Sequence, residues 1–232
     1  SRTNDFREDS IVTTGTAVKA DYWYSGFDRG HLAPSADFRW SRQAISESYF
    51  YSNMSPQRPE FNRERWAELE NWTRAAVMAE NEQLIVITGP ILRDGLPQIT
   101  QGPNKLSIPE FYYKIILDLE GEEKKAIAFL MPNKTCSYPV ISYAVTVDSI
   151  ENLTGLDFFP ELEDALENQL EAKSDPKKWE REIDGVIADA APLTNQEMPK
   201  NSVNTVDAKY FLNQKVTVCG TVVSTKKTNS GS

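Results

Sequence analysis

Gly26-Phe27-Asp28-Arg29-Gly30-His31-Leu32-Ala33-Pro34-Ser35-Ala36 is the stretch from which the rest of the chain is read. His31 is the only histidine in 232 residues, and a carboxylate, an arginine and a glycine stand immediately before it. Imidazole is the only side chain whose unperturbed pKa lies near neutrality, which makes it a natural general base. Gly30 lets the backbone bend, or lets another group approach closely, just before that ring. By itself the residue also reads as a partly buried histidine hydrogen-bonded near a strand end. The decision falls to what lies downstream.

Asp21 to Asp28 is rich in Tyr and Trp, with a turn signal at Ser25-Gly26, so the chain is expected to enter a strand around His31. Pro34 limits how regular that strand is. Ser41 to Glu47 reads as a short helix, and the aromatic run Ser48 to Asn53 as a returning strand. Arg63 to about Glu80 predicts the best-defined helix, with Trp66, Leu69, Thr73, Ala76 and Val77 at helical spacing and Asn62 at the N-cap. Such a β-β-helix unit brings the imidazole and the Asn62 amide oxygen to one site, although they are 31 residues apart. An amide oxygen is a poor base but an acceptable ligand for Mg²⁺, which prefers hard oxygen donors and keeps several waters. Glu70, two helical turns on, can accept hydrogen bonds from those waters, and Arg74 at i+4 can hold Glu70 in place. Plainer readings stay open here. Asn62 serves as an N-cap, Glu70 and Arg74 as a surface pair, and Arg39, Arg42, Arg58, Arg63 and Arg65 as a solvated face.

Gln83–Thr88, Phe111–Leu119, Ala126–Met131 and Ser142–Asp148 predict four strands of a central antiparallel sheet, the second and third joined across the charged turn Glu120–Lys125. Leu153 to about Leu170 predicts a helix entered near Pro160. Arg2 to Val18 reads as an irregular segment lying over a larger body. The expected division is a first domain at 1–170, a charged helical spacer or linker at 171–205, and a basic strand-like segment at 206–232. That last segment alternates over Lys215–Val223, as the start of a β-barrel or as an extra edge strand.

Composition narrows the function classes. Forty per cent apolar and 10% aromatic residues describe a folded globular chain, and no apolar run of about 18 residues suggests a membrane span. Cys136 and Cys219 share no metal-binding spacing, which argues against a zinc site and leaves a disulfide open. The net charge is −9, but residues 151–200 hold 13 Asp/Glu against 5 Lys/Arg while the remainder holds 21 against 20. The acidity belongs to one segment and does not exclude a polyanion-binding surface elsewhere. The chain opens on Ser1 without an apolar leader, so a processed or trimmed form is expected, with a secreted or periplasmic bacterial location.

These residues resemble the DNA/RNA non-specific endonuclease family, the ββα-metal nucleases that include secreted bacterial nucleases and endonuclease G. The resemblance rests on Asp28-Arg29-Gly30-His31 with Leu32 and Ala36, on Asn53-x-x-Pro56-Gln57, and on Asn62…Trp66…Leu69-Glu70…Arg74. Softer matches are Ile108-Pro109 before Phe111-Tyr112-Tyr113-Lys114, and Thr154-Gly155-Leu156-Asp157-Phe158-Phe159. It covers roughly residues 2–170 and implies an α+β, ββα-metal nuclease fold with a central antiparallel sheet flanked by helices. It further implies His31 as general base, Asn62 as the sole direct protein ligand of a catalytic Mg²⁺ (with Mn²⁺ as a substitute), and Glu70 on the metal's waters. Arg29 and Arg74 fall on active-site positions. Arg2 resembles an arginine that stabilises charge on the phosphate, and Asn53 and Gln57 match polar, substrate-binding residues lining the site. The segment beyond the common core resembles the opening of an oligonucleotide-binding barrel.

The activity so implied is Mg-dependent hydrolysis of DNA and RNA to 5′-phosphate ends. Nothing in this set reads a base, and contacts to backbone phosphate carry little sequence information. The partners expected are DNA and RNA through their phosphates, with an inhibitor protein and a homodimeric assembly also compatible. The competing reading is a catalytically silent nucleic-acid-binding module on the same fold.

Overall fold

The computed structural model describes residues 5–80, 83–120, 123–179, 202–204 and 217–219. From residue 5 the chain crosses the surface with little regular structure, pinned where Arg7 bridges in parallel to Phe50 and lays its guanidinium 4.1 Å from that ring's centre. One helical turn, α1 (Lys19–Tyr22), precedes β1 (Asp28–His31), the strand expected around His31. Then comes α2 (Arg42–Glu47), opened by Ser41, whose hydroxyl accepts from the Ala44 N–H. The chain returns as β2 (Met54–Gln57), antiparallel to β1, with Asp28 opposite Gln57 and His31 opposite Met54.

The returning strand therefore begins at Met54 and not within Ser48–Asn53, whose last three residues form a 3-10 turn. Their aromatics are buried without a pleat: Tyr51 packs with Tyr22 and Met54 in a small core, and Tyr49 lies under His31. Pro56 is tolerated inside β2 because a two-stranded sheet consists only of edges.

A wide π turn over Phe61–Arg65 leads into α3 (Trp66–Glu80), and the Trp66 N–H reaches back five residues to the Phe61 carbonyl. Asn62 is consequently not an N-cap. Its own N–H donates to the Arg58 carbonyl at 2.8 Å, so coiling has already begun and its side chain is released for other work.

The central sheet is β3 (Leu84–Pro90), with β4 (Gln98–Ile99) and β5 (Leu106–Ser107) as a separate small pair, then β6 (Phe111–Asp118), β7 (Lys125–Pro132) and β8 (Ala144–Val145). Its order is β3-β6-β7-β8, antiparallel throughout. The expected fourth strand shrinks to two residues. A 3-10 turn occupies Val140–Tyr143, and Thr146 caps α4 (Val147–Thr154) through its hydroxyl and the Ser149 N–H. The single helix expected over Leu153–Leu170 is two helices. Gly155, at φ +69°, ends α4 in the left-handed conformation, and Pro160 lies in the connection to α5 (Asp164–Glu171).

Every β6 position after the first is buried because both sheet faces are covered. Tyr112 and Ile116 face Phe61, Trp66 and Leu69 of the α3 side, whereas Ile115 and Leu117 face Val147 and Ile150 of α4 and Leu170 of α5. The class is α+β. Trp179 is 4% exposed and joins the α3-side core beside Trp72 (ring centres 6.1 Å apart), so the first compact unit runs to Trp179 where the sequence suggested 170. The second unit, 180–232, is described only where β9 (Ser202–Asn204) pairs in parallel with β10 (Thr217–Cys219). The spacer and barrel readings otherwise lie outside the described residues. Among the described residues no helix is long and apolar enough to cross a membrane.

Candidate active site

A cleft of about 860 Å³ opens between the β1 end and the start of α3, and Asp28, Arg29, His31, Asn62 and Glu70 all line it. His31 terminates β1, its ring edge-on against Tyr49 with centres 4.8 Å apart. Arg29, two residues earlier, shares that side of the strand. Its guanidinium lies 3.7 Å from the centre of the Phe6 ring, which is also 6.0 Å from the imidazole. Phe6 thus links the two, held there by the neighbouring Arg7–Phe50 bridge.

Gly30 is needed for space. A Cβ on it would lie 2.1 Å from Cδ and Oε1 of Gln57, which is fully buried beneath the strand. Gln57, expected among the substrate-binding residues, is in this structure a packing neighbour of the strand. Asn53, expected in the same role, uses its amide on backbone: Nδ2 donates to the carbonyls of Ala33 and Ser48 at 2.9 and 2.8 Å, and Oδ1 accepts from the Ala33 N–H at 2.9 Å. Neither lines the cleft. Asn53 instead fixes the chain just after His31.

Asp28 ties the two halves of the site together. Its Oδ2 accepts from Asn62 Nδ2 at 2.9 Å, and its carboxylate takes a forked pair from Arg63 at 2.6 and 2.8 Å. With Nδ2 so engaged, the Asn62 amide is oriented and keeps its oxygen as an acceptor. An oriented amide oxygen with a carboxylate two turns on, in a wide cleft, is a donor set that fits a hard divalent cation keeping most of its water.

Burial pushes the Glu70 carboxyl up to about 7, with the positive charges of Lys114 and Arg74 opposing the rise. Arg74 does not pair with Glu70 as expected. Its guanidinium bonds Asp37 and Asn71, both at 2.7 Å, so its effect on Glu70 acts through space. Lys114 is 1% exposed, donates to Thr88 Oγ1 at 2.6 Å, and is itself pushed down to about 8 by burial. Its signal in the sequence is a lysine within an otherwise apolar strand. Arg2 lies outside the described residues.

The family model for DNA/RNA non-specific endonucleases matches residues 1–165. The chain belongs to this family. Human mitochondrial endonuclease G is 35% identical over 170 residues, which are 68% of this chain and 57% of that protein. Nuclease C1 of Cunninghamella echinulata is 34% identical over 68% of this chain and 67% of its own length. A chain in the crystal structure of an EndoG/EndoGI complex, described as showing the mechanism of EndoG inhibition, superposes with a TM-score of 0.60. It is 28% identical, and the match covers 68% of this chain and 69% of that one. The chain spans a little more than half the length of human endonuclease G. The expected secreted or periplasmic bacterial location is corrected by these relatives: those from human, Bos taurus, Schizosaccharomyces pombe and Saccharomyces cerevisiae are mitochondrial nucleases.

Proposed function

We propose that this chain hydrolyses the phosphodiester bonds of DNA and RNA without sequence preference, with His31 as general base and Asn62 as protein ligand of a divalent cation, Mg²⁺ or Mn²⁺. The observation that carries this is the Asp28–Asn62 hydrogen bond: the strand ending in the imidazole also orients the amide. When bound, the cation supplies charge against the phosphate and a coordinated water able to protonate the leaving 3′ oxygen.

The rest falls to the chain's own side chains. His31 takes the proton from the attacking water, a step worth about 10²–10⁴-fold in rate. Arg29, held over the Phe6 ring, presents a guanidinium to a phosphate oxygen. Glu70, ionised with help from Lys114, would accept hydrogen bonds from waters that the cation brings. Asp28 and Asn53 position the amide and the His31 turn. The products are 5′-phosphate and 3′-hydroxyl ends. Because these groups address phosphate and not base edges, affinity should fall steeply with salt. The structural relative in a complex with EndoGI supports an inhibitor protein as a further partner.

The test is digestion of supercoiled plasmid and of RNA with Mg²⁺ by the parent, His31→Ala and Asn62→Ala chains. At least a 100-fold loss in each variant, with thermal unfolding unchanged, is expected. Parental rates in His31→Ala would refute the assignment, and binding without cleavage by the parent would establish the silent module instead.

A further inference from the structure

On the sheet face opposite α3, α4 and α5 pack against each other over the second core. Their facing sides carry Asp148 and Glu151 from α4, Glu167 and Glu171 from α5, and Asp157 from the connection. Single carboxylate oxygens of Asp148, Glu151 and Glu171 lie within 4.8 Å of one another, and so do those of Asp157, Glu167 and Glu171. Glu171 belongs to both groups. It is 7% exposed, and its Oε1, like that of Glu167, is buried with no hydrogen-bond partner among the described residues. Among the described residues none of the five forms an ion pair with a lysine or arginine.

Carboxylate oxygens of Glu171 and Glu151 lie within 4.8 Å of each other although both are acceptors when ionised. Glu171 also ends α5, where the helix dipole adds partial negative charge. A buried carboxylate among like charges needs either a positive partner or a proton. We propose that these carboxylates form a structural calcium site, with Glu171 as the shared ligand, locking α4 to α5. Oxygen-only ligands from two helices and a loop suit Ca²⁺, which takes 6–8 oxygens in flexible geometry. Mg²⁺ is held by one or two carboxylates and keeps its waters. The site also gives a purpose to the acidic surplus that begins at residue 151.

The test uses the full chain carrying Asn62→Ala, so that the cleft does not contribute its own cation. After chelation and dialysis, calorimetric titration with CaCl₂ should show saturable binding that the same concentration of MgCl₂ does not reproduce. Tm should rise by roughly 5–10 °C at 100 times the Kd. Adding Glu171→Gln should weaken Ca²⁺ binding at least tenfold and abolish the Tm response. Without Ca²⁺ the Gln variant should be as stable as its parent or more so, since a buried like charge is gone; with Ca²⁺ the parent should overtake it. No Ca²⁺ binding in the Asn62→Ala chain overturns the proposal, as does undiminished binding after Glu171→Gln. A Gln variant that stays the more stable in saturating Ca²⁺ overturns it too, in favour of a shared proton. If Glu171→Gln does not fold, Glu167→Gln and Asp148→Asn must show the same loss of binding, and their failure to do so is equally decisive.

Discussion

Gly30→Ala is the sharpest probe of how the base is held. The added methyl would meet Gln57 Cδ and Oε1 at 2.1 Å and Cγ at 2.4 Å, where ordinary contact begins at 3.4 Å, so an opening of about 1.3 Å is required. Gln57 is fully buried and cannot swing out to solvent, so much of that opening falls on β1. Overpacking of this kind costs about 1–3 kcal/mol, a fall in Tm of roughly 2–12 °C for a unit of this size. The functional effect should be larger in proportion. β1 carries Asp28, Arg29 and His31, and displacement of a reacting group by about an ångström costs on the order of 100-fold in rate. Thermal unfolding and kcat/KM on plasmid measure the two separately. Gln57→Ala removes the three clashing atoms, and among the described residues neither Gln57 amide atom has a hydrogen-bond partner to lose. The double variant should therefore recover at least 1 kcal/mol relative to additivity, with most of the activity. Gly30→Ala behaving like the parent, or a double variant with no recovery, refutes the reasoning.

Three further outcomes follow from charges in and near the cleft. Asp28→Asn removes the carboxylate that orients the Asn62 amide and takes the Arg63 fork, so the Mg²⁺ concentration for half-maximal rate should rise about 10–100-fold. Lys114→Met removes a positive charge that holds the Glu70 pKa down, so the acid limb of the pH–rate profile should move to higher pH. Lys114 also has a depressed folded pKa of about 8, so between there and its ordinary 10.5 only the unfolded chain keeps the proton. The parent should accordingly gain stability as pH rises through that window, by a total on the order of 3 kcal/mol, and lose it as pH falls. Denaturant titrations at several pH values should show no such gain in Lys114→Met.

The sequence made legible what depends on local pattern. Three of the four sheet strands came from apolar runs bounded by turn residues, the fourth keeping only Ala144–Val145 of its expected span, and α3 came from 3.6-residue periodicity. The pairing of His31 with Asn62 came from motif spacing together with family resemblance. What it misplaced depended on tertiary context. Tyr49 and Tyr51 are aromatic because they pad the imidazole and a small core, not because they are pleated. Asn62 has the chemistry of an N-cap, but whether the helix starts at or before it is settled by the Arg58 carbonyl. Arg74 stands one turn from Glu70 in sequence, yet Asp37, from a distant segment, captures it. Lys114 could be named but not understood until both sheet faces were known to be covered. The acidic excess after residue 150 was visible as a number, and only the packing of α4 on α5 turned it into a cluster.

The π turn before α3 has a consequence for rotational phase. Asn62 and Glu70 are eight positions apart, and at ~100° per residue a regular α-helix would leave them ~80° out of phase around the axis. The wide turn at Phe61–Arg65 absorbs one residue, which reduces the effective separation to seven and brings the two side chains to within ~20° of each other. The amide and the carboxylate therefore face the same cleft by virtue of one residue of slack. A one-residue deletion within that turn would leave the two seven positions apart on a regular helix and still within ~20°, whereas winding the same residues into regular α-helix without a deletion would turn the amide ~80° away from its carboxylate.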